Sequence, residues 1–340
     1  MAAPIPTREP GRGLQLPDFL AVESGLYRSL VRALLPAARD QLVGLDRMVS
    51  GGDWAGADRA ARSLNLGPAA RAAAPRVEFY ALSAAVFGAA LWVGGDPDDT
   101  WLAGSGEPLA EARAAAGLTV QALDGSQNDD LRAGLLSALD RMRDERGAFE
   151  KAAIGRFGAG QLAGDLNKAV DAGVRLQAGV SANLLTTRMV AFGALSQARE
   201  SGDGRWQWTA KLDSRTCPVC MRLHGRTFGV SDHLDRLRTI LGSQDPETAK
   251  ALSPWPTQSR SDLERLYRMT DEQLVERRYT LPPAHPHCRC VPVPVGTVPR
   301  SEMVRSLAQA LRGIGRTGAQ AEPGAAVAVP AGGVPTDPTE

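Results

Sequence analysis

All four cysteines and all four histidines of this 340-residue chain lie between positions 217 and 290. They form two blocks. Cys217 and Cys220 make a CxxC pair, and His285, Cys288 and Cys290 follow much further along. Two thiolates three residues apart on a turn fit one tetrahedral Zn²⁺, and a remote second pair completes four N/S ligands. Five donors compete for those places. Cys217, Cys220 and Cys288 are the firm three; Cys290 would make an all-cysteine site and His285 a Cys₃His site. Residues two apart on an extended strand point to opposite sides, which disfavours Cys288 and Cys290 binding together. His285, flanked by Pro283 and Pro286, can curl back in a turn. The expected ligands are therefore Cys217, Cys220, His285 and Cys288, with Cys290 as the alternative fourth, and the expected cofactor is one structural zinc.

Two other readings stay open. A redox CxxC suits a thioredoxin-like βαβ setting, which does not surround this pair and leaves two cysteines unexplained. The other is a cysteine cluster or disulfide without metal; a disulfide needs an oxidising compartment, and the opening MAAPIPTREPGRG has no apolar core to serve as an export signal. His224, His233 and His287 read as surface or internally satisfied side chains. Catalysis has little to rest on. The chain has no HExxH, no HxE paired with PCxxC, and no GxSxG. Asp213, four residues before Cys217, is the nearest candidate base, but an Asp before such a turn is commonly a backbone cap. The expectation is a protein that is not an enzyme, with a zinc-dependent hydrolase or toxin-like enzyme as the lesser rival.

The elements that must position these residues divide the chain. Residues 16–202 are Ala- and Leu-rich with apolar residues at helical spacing, as in Leu26, Leu30 and Leu34. Pro36 reads as a kink or break, Asp53 as the cap of a helix over 53–64, and Gly67-Pro68 as its end. Residues 76–93 read as a helix buried on most sides, since the charge-free run 80–93 falls short of a bilayer span. A loop at Pro97 and 104–106 precedes a helix over 108–123. Asn128-Asp129 reads as the cap of the next helix, and 162–198 continue the pattern. From 206 to 212 the period becomes that of a half-buried strand, with a second short strand at 226–230. Helices return over 231–280, broken at 253–256. Val291, Val293 and Val295 alternate with prolines, which confines that segment to a sheet edge. The predicted organisation is a 1–15 arm, a helical domain over 16–202, a small α+β domain with short strands over 203–316 ending in a helix at 301–314, and a disordered tail over 317–340. The fold class is mainly α.

Net charge is +1, which excludes a polybasic DNA-binding chain. That value averages unlike halves: residues 201–316 carry 18 basic against 12 acidic side chains. With Trp206 and Trp208, this excess permits a rival reading as a nucleic-acid-binding zinc module.

The blocks DSRTCPVCMRLHGRTF and PPAHPHCRCVPV resemble the two signature blocks of the phage Mu F-like minor head protein (head morphogenesis) family. The matching positions are Asp213, Arg215, Thr216, Cys217, Cys220, Leu223 and Gly225, then Pro283, His285, Pro286, Cys288, Arg289 and Cys290. The likeness spans roughly residues 184–295. Two departures stand out: Thr187-Arg188-Met189 keeps only the arginine of an Arg-Thr-Glu element, and the segment between the blocks is long. The resemblance implies a low-copy minor capsid protein of the virion, assembled in the host cytoplasm. Its implied partners are the portal, the major capsid protein or packaged DNA, with no membrane and no small-molecule substrate. It also marks Asp213, Arg215, Gly225 and Arg289 as motif residues.

Overall fold

The computed structural model describes residues 16–93, 107–151, 159–243 and 245–296. The expected arm at 1–15, the loop through Pro97 to 106, the helix at 301–314 and the tail at 317–340 lie outside these residues. Among the described residues the chain is mostly helical, with one small sheet near its C-terminal end.

Helix α1 (Leu16–Gln41) buries Leu26, Leu30 and Leu34 on one face. Pro36 lies inside α1 and does not end it. The proline is exposed, so the missing backbone donor falls on the side of the helix open to solvent. After α2 (Leu45–Gly51), α3 (Trp54–Ser63) is capped by Asp53, whose side chain accepts from the Gly56 amide at 2.8 Å. Gly67-Pro68 opens α4 (Gly67–Val93) instead of closing α3, because a proline in the first turn sacrifices no intrahelical bond. Helix α5 covers Glu107–Asp124. The next, α6 (Ser126–Lys151), begins before Asn128, which is buried and donates to the Leu64 carbonyl at 3.1 Å. Asn128 therefore serves a tertiary contact and not the expected cap.

Helix α7 (Ala159–Glu200) runs 42 residues, about 63 Å at 1.5 Å per residue. It crosses α4 at near backbone contact. A Cβ at Gly88 would lie 2.0 Å from the Val190 carbonyl oxygen, and one at Gly193 would lie 1.8 Å from that of Ala85. The glycines let the two apolar helices close on each other, and the run at 80–93 is buried on most sides as its composition demands.

Strand β1 (Arg205–Thr209) is followed by α8 (Pro218–Leu223), β2 (Thr227–Gly229), α9 (Val230–Leu241), α10 (Pro246–Leu252), α11 (Arg260–Arg268), α12 (Asp271–Glu276) and β3 (Val291–Pro294). The antiparallel sheet has the order β2-β1-β3. Trp206 pairs with Phe228 across β2, and Trp208 pairs with Pro292 across β3. Proline-bearing β3 is at an edge, as its missing donors require. The central strand departs from expectation. Trp206, Gln207 and Trp208 are all buried, so β1 is covered on both faces and not half-exposed. Gln207 tolerates this because its Nε2 donates to the Gly225 carbonyl at 3.0 Å. One apolar core continues from Phe19 on α1 to Cys290 beside β3.

Candidate metal centre

The first cysteine block is shaped by a turn built before it. Asp213 Oδ1 accepts from the Arg215 amide at 2.9 Å, and Thr216 Oγ1 accepts from the Asp213 amide at 2.8 Å. Cys217 then caps α8, its sulfur accepting from the Cys220 amide at 3.3 Å, with Pro218 in the first helical position. The CxxC pair thus sits on a helix start and not on a bare turn. Gly225 closes the block with φ of +77°, its amide bonded to the Trp208 carbonyl at 2.7 Å. That left-handed backbone returns the chain to β2, and glycine adopts it without strain.

The second block is also a turn. The Cys288 amide donates to the His285 carbonyl at 3.2 Å, and His287 between them has φ of +62°. Strand geometry starts only at Val291, so the alternation expected of Cys288 and Cys290 does not hold. Both sulfurs turn inward to Cys220.

Two triads result. Cys217, Cys220 and His285 have ligand atoms within 4.8 Å of one another, and so do Cys220, Cys288 and Cys290. Cys220 belongs to both. His285 Nε2 lies 3.0 Å from Cys217 Sγ and 3.1 Å from Cys220 Sγ, and Cys220 Sγ lies 3.8 Å from Cys288 Sγ. A tetrahedron with Zn–S near 2.3 Å has an S···S edge of about 3.8 Å and an S···N edge of about 3.5 Å. The sulfur pair matches this edge, and the imidazole stands closer than it requires. His285 Nδ1–H donates to the Pro286 carbonyl at 2.6 Å, which leaves Nε2 free to face the thiols. Ligating histidines are fixed in this way. All four cysteines are unpaired thiols.

The electrostatics suit a cation. A hydrogen bond from Cys220, aided by His285, holds the Cys217 thiol down to about 5. Burial opposes charge on His285, but the Cys217 thiolate outweighs it and pushes His285 up to about 9. Burial likewise resists ionisation of Cys288, yet hydrogen bonds from Cys220 and Cys290 bring it well below the ordinary thiol range. Hydrogen bonds to their neighbours push Cys220 up, and burial pushes Cys290 up. Protons and an imidazolium balance thiolate charge that a metal would neutralise directly.

The surrounding shell joins both blocks to the helical body. Arg289 forms a two-pronged ion pair with Asp213, linking the second block to the turn before the first. This pair holds the Asp213 carboxyl well below the usual carboxylate range and removes it as a free base. On α7, Asn183 Nδ2 and Thr187 Oγ1 donate to the Cys288 carbonyl at 3.2 and 3.1 Å. Glu23 on α1 accepts from the same Asn183 amide at 3.2 Å. Sequence reasoning missed Asn183, Thr187 and Glu23. The available signal was two polar residues at i, i+4 inside an apolar helical stripe.

The remaining motif positions separate. Arg215 is exposed and enters the site through its backbone amide. His224 is buried, with Nδ1 accepting from the Ala210 amide at 3.0 Å. His233 is buried against Trp206 and Phe228, with Nε2 2.7 Å from Thr280 Oγ1. His287 is exposed. Trp206 and Trp208 are both 0% exposed, so neither offers a face on which a base could stack.

Helices pack on a three-stranded sheet, and the two remote Cys/His blocks meet beside it. Residues 157–293 match the family described as Phage Mu protein F like protein. The match agrees with the resemblance drawn from the two blocks, and it extends further upstream to take in α7. The family is one of phage head morphogenesis. No curated protein and no solved structure matches the chain.

Proposed function

We propose that this chain is a structural, non-enzymatic minor component of a phage head, acting in assembly at the portal or the major capsid shell. The observation that carries this reading is the family match over residues 157–293, which contains both cysteine blocks. In this reading one zinc is held by Cys217, Cys220, His285 and Cys288, with Cys290 as the alternative fourth ligand. The ion supplies cross-linking and no chemistry. It ties α8 to the turn before β3 and closes the long excursion between the blocks, whose loop entropy otherwise opposes folding. The Asp213–Arg289 pair supports a bracing role, since the nearest carboxylate is engaged and not poised over the cysteines. The virion, with passage through the host cytoplasm during assembly, is the corresponding location.

Co-expression with the portal and major capsid proteins of the same phage genome tests the assignment. Co-purification with the portal or with assembled procapsids, lost on Cys220→Ser, is the expected result. A chain that stays monomeric beside assembled shells and isolated portals would overturn it.

A further inference from the structure

Beside the cysteine centre, a cavity of about 400 Å³ opens between α5, α6 and α7 on one side and α9, α10 and Trp255 on the other. Leu118, Val180, Leu184 and Leu241 give it apolar walls, and Pro286, next to His285, forms one edge. Arg188 of α7 also lines it. Among the described residues Arg188 makes no hydrogen bond and no ion pair, and its Nε is sealed from solvent without a partner. The indole Nε1 of Trp255, on the same wall, is likewise buried with no acceptor. Neither sealed atom opens to the cavity, but Arg188 is only partly buried, and its terminal nitrogens, which are not among the sealed atoms, have no protein acceptor among the described residues. Because one donor is a guanidinium, a carboxylate satisfies it best. Partial desolvation, with no anion beside it, lowers the Arg188 pKa to about 10.

The charged rim does not supply that anion. Glu247 faces Lys250 at 3.8 Å, and Asp130 is exposed and makes no ion pair with Arg188. Ser126 and Gln177 add hydroxyl and amide groups to the lining, which suit a peptide backbone better than an alkyl chain.

We propose that this cavity binds the free C-terminal carboxylate of a partner polypeptide, with apolar residues before it. Arg188 takes the carboxylate, and the leucine and valine walls take the preceding side chains. A chain end enters such a cavity without having to turn back out of it. The inference rests on the cavity alone and holds whether or not the cysteine centre binds metal.

The test titrates the full chain with three probes: an N-acetylated alanine/leucine tetrapeptide with a free carboxylate, the same peptide as its amide, and decanoate. Calorimetry gives the affinity, and the Trp255 indole proton signal, assigned with Trp255→Phe, reports the site. The expected result is binding of the acid peptide with a shift of that signal, and binding of the amide at least tenfold weaker. Arg188→Met, which removes an uncompensated charge and should melt no lower than the parent, should also weaken the acid peptide at least tenfold. Equal affinity for acid and amide, undiminished binding by Arg188→Met, a preference for decanoate, or no binding by any probe would each overturn the proposal. The acid–amide comparison uses the unaltered protein, so it decides the matter even if the variant fails to fold.

Discussion

Arg289 and Asp213 meet fork to fork: Nη1 lies 2.7 Å from Oδ2, and Nη2 lies 2.7 Å from Oδ1. Arg289 stands between Cys288 and Cys290, and Asp213 begins the turn that delivers Cys217. The pair therefore sets the distance between the cysteine blocks before any metal acts. Asp213→Asn keeps the shape and removes the charge. We expect a loss on the order of 1–2 kcal/mol in thermal unfolding, and metal affinity about tenfold or more weaker in a chelator competition. Unchanged values in both would show the pair to be ornamental.

Where α4 crosses α7, Gly88 and Gly193 have no room for a methyl group. Gly88→Ala should push the helices apart and cost about 1–3 kcal/mol, despite the better helix propensity of alanine. Denaturant unfolding would register the loss as a lower midpoint. Gly117, where an added Cβ meets nothing within 4 Å, is the control, and alanine there should leave the midpoint level or raise it.

His233 gives the fold a defined acid sensitivity. Burial and the nearby Arg236 push its pKa down to about 4, from an ordinary value of 6.5. The folded state refuses a proton that the unfolded chain accepts, so stability is full above pH 6.5 and falls as pH drops toward 4. The loss amounts to roughly 3 kcal/mol once both states are protonated. In a urea titration across that window, His233→Gln should flatten the decline. A decline of the same slope in the variant would assign the sensitivity to other groups.

The Cys288 carbonyl depends on α7 for both of its side-chain donors. Replacing Asn183 with Leu and Thr187 with Val should leave that acceptor buried and unpaired, at about 1–3 kcal/mol. The same change frees Glu23, whose carboxyl burial already raises its pKa. Faster amide hydrogen exchange over residues 285–290 than in the parent is the expected signature; unaltered exchange would mean that the loop holds itself.

The helical half was legible because leucines such as Leu26, Leu30 and Leu34 repeat at the helical period, and the short strands because β-branched and aromatic residues cluster there. Boundaries failed where tertiary contacts overrode local signals. Pro36 is tolerated on an exposed face, Asn128 bonds to the remote Leu64 carbonyl, and Gly67-Pro68 opens a helix. The donors of the cysteine centre were legible from their spacing. Their arrangement was not, because a strand period was assigned to Cys288 and Cys290 while the backbone between His285 and Cys290 turns. The helix-borne support from Asn183 and Thr187 was hidden because it depends on how α7 lies against a loop about a hundred residues further along the chain.

Cys220 belongs to both triads, so its replacement tests the bracing role most directly. The decisive measurement is the metal content of the purified chain by mass spectrometry, read beside its melting curve. The account predicts about one zinc per chain, with Cys220→Ser losing the metal and with it the folding of the cysteine-bearing domain. A parent chain without metal that melts unchanged in the presence of a strong chelator would contradict it.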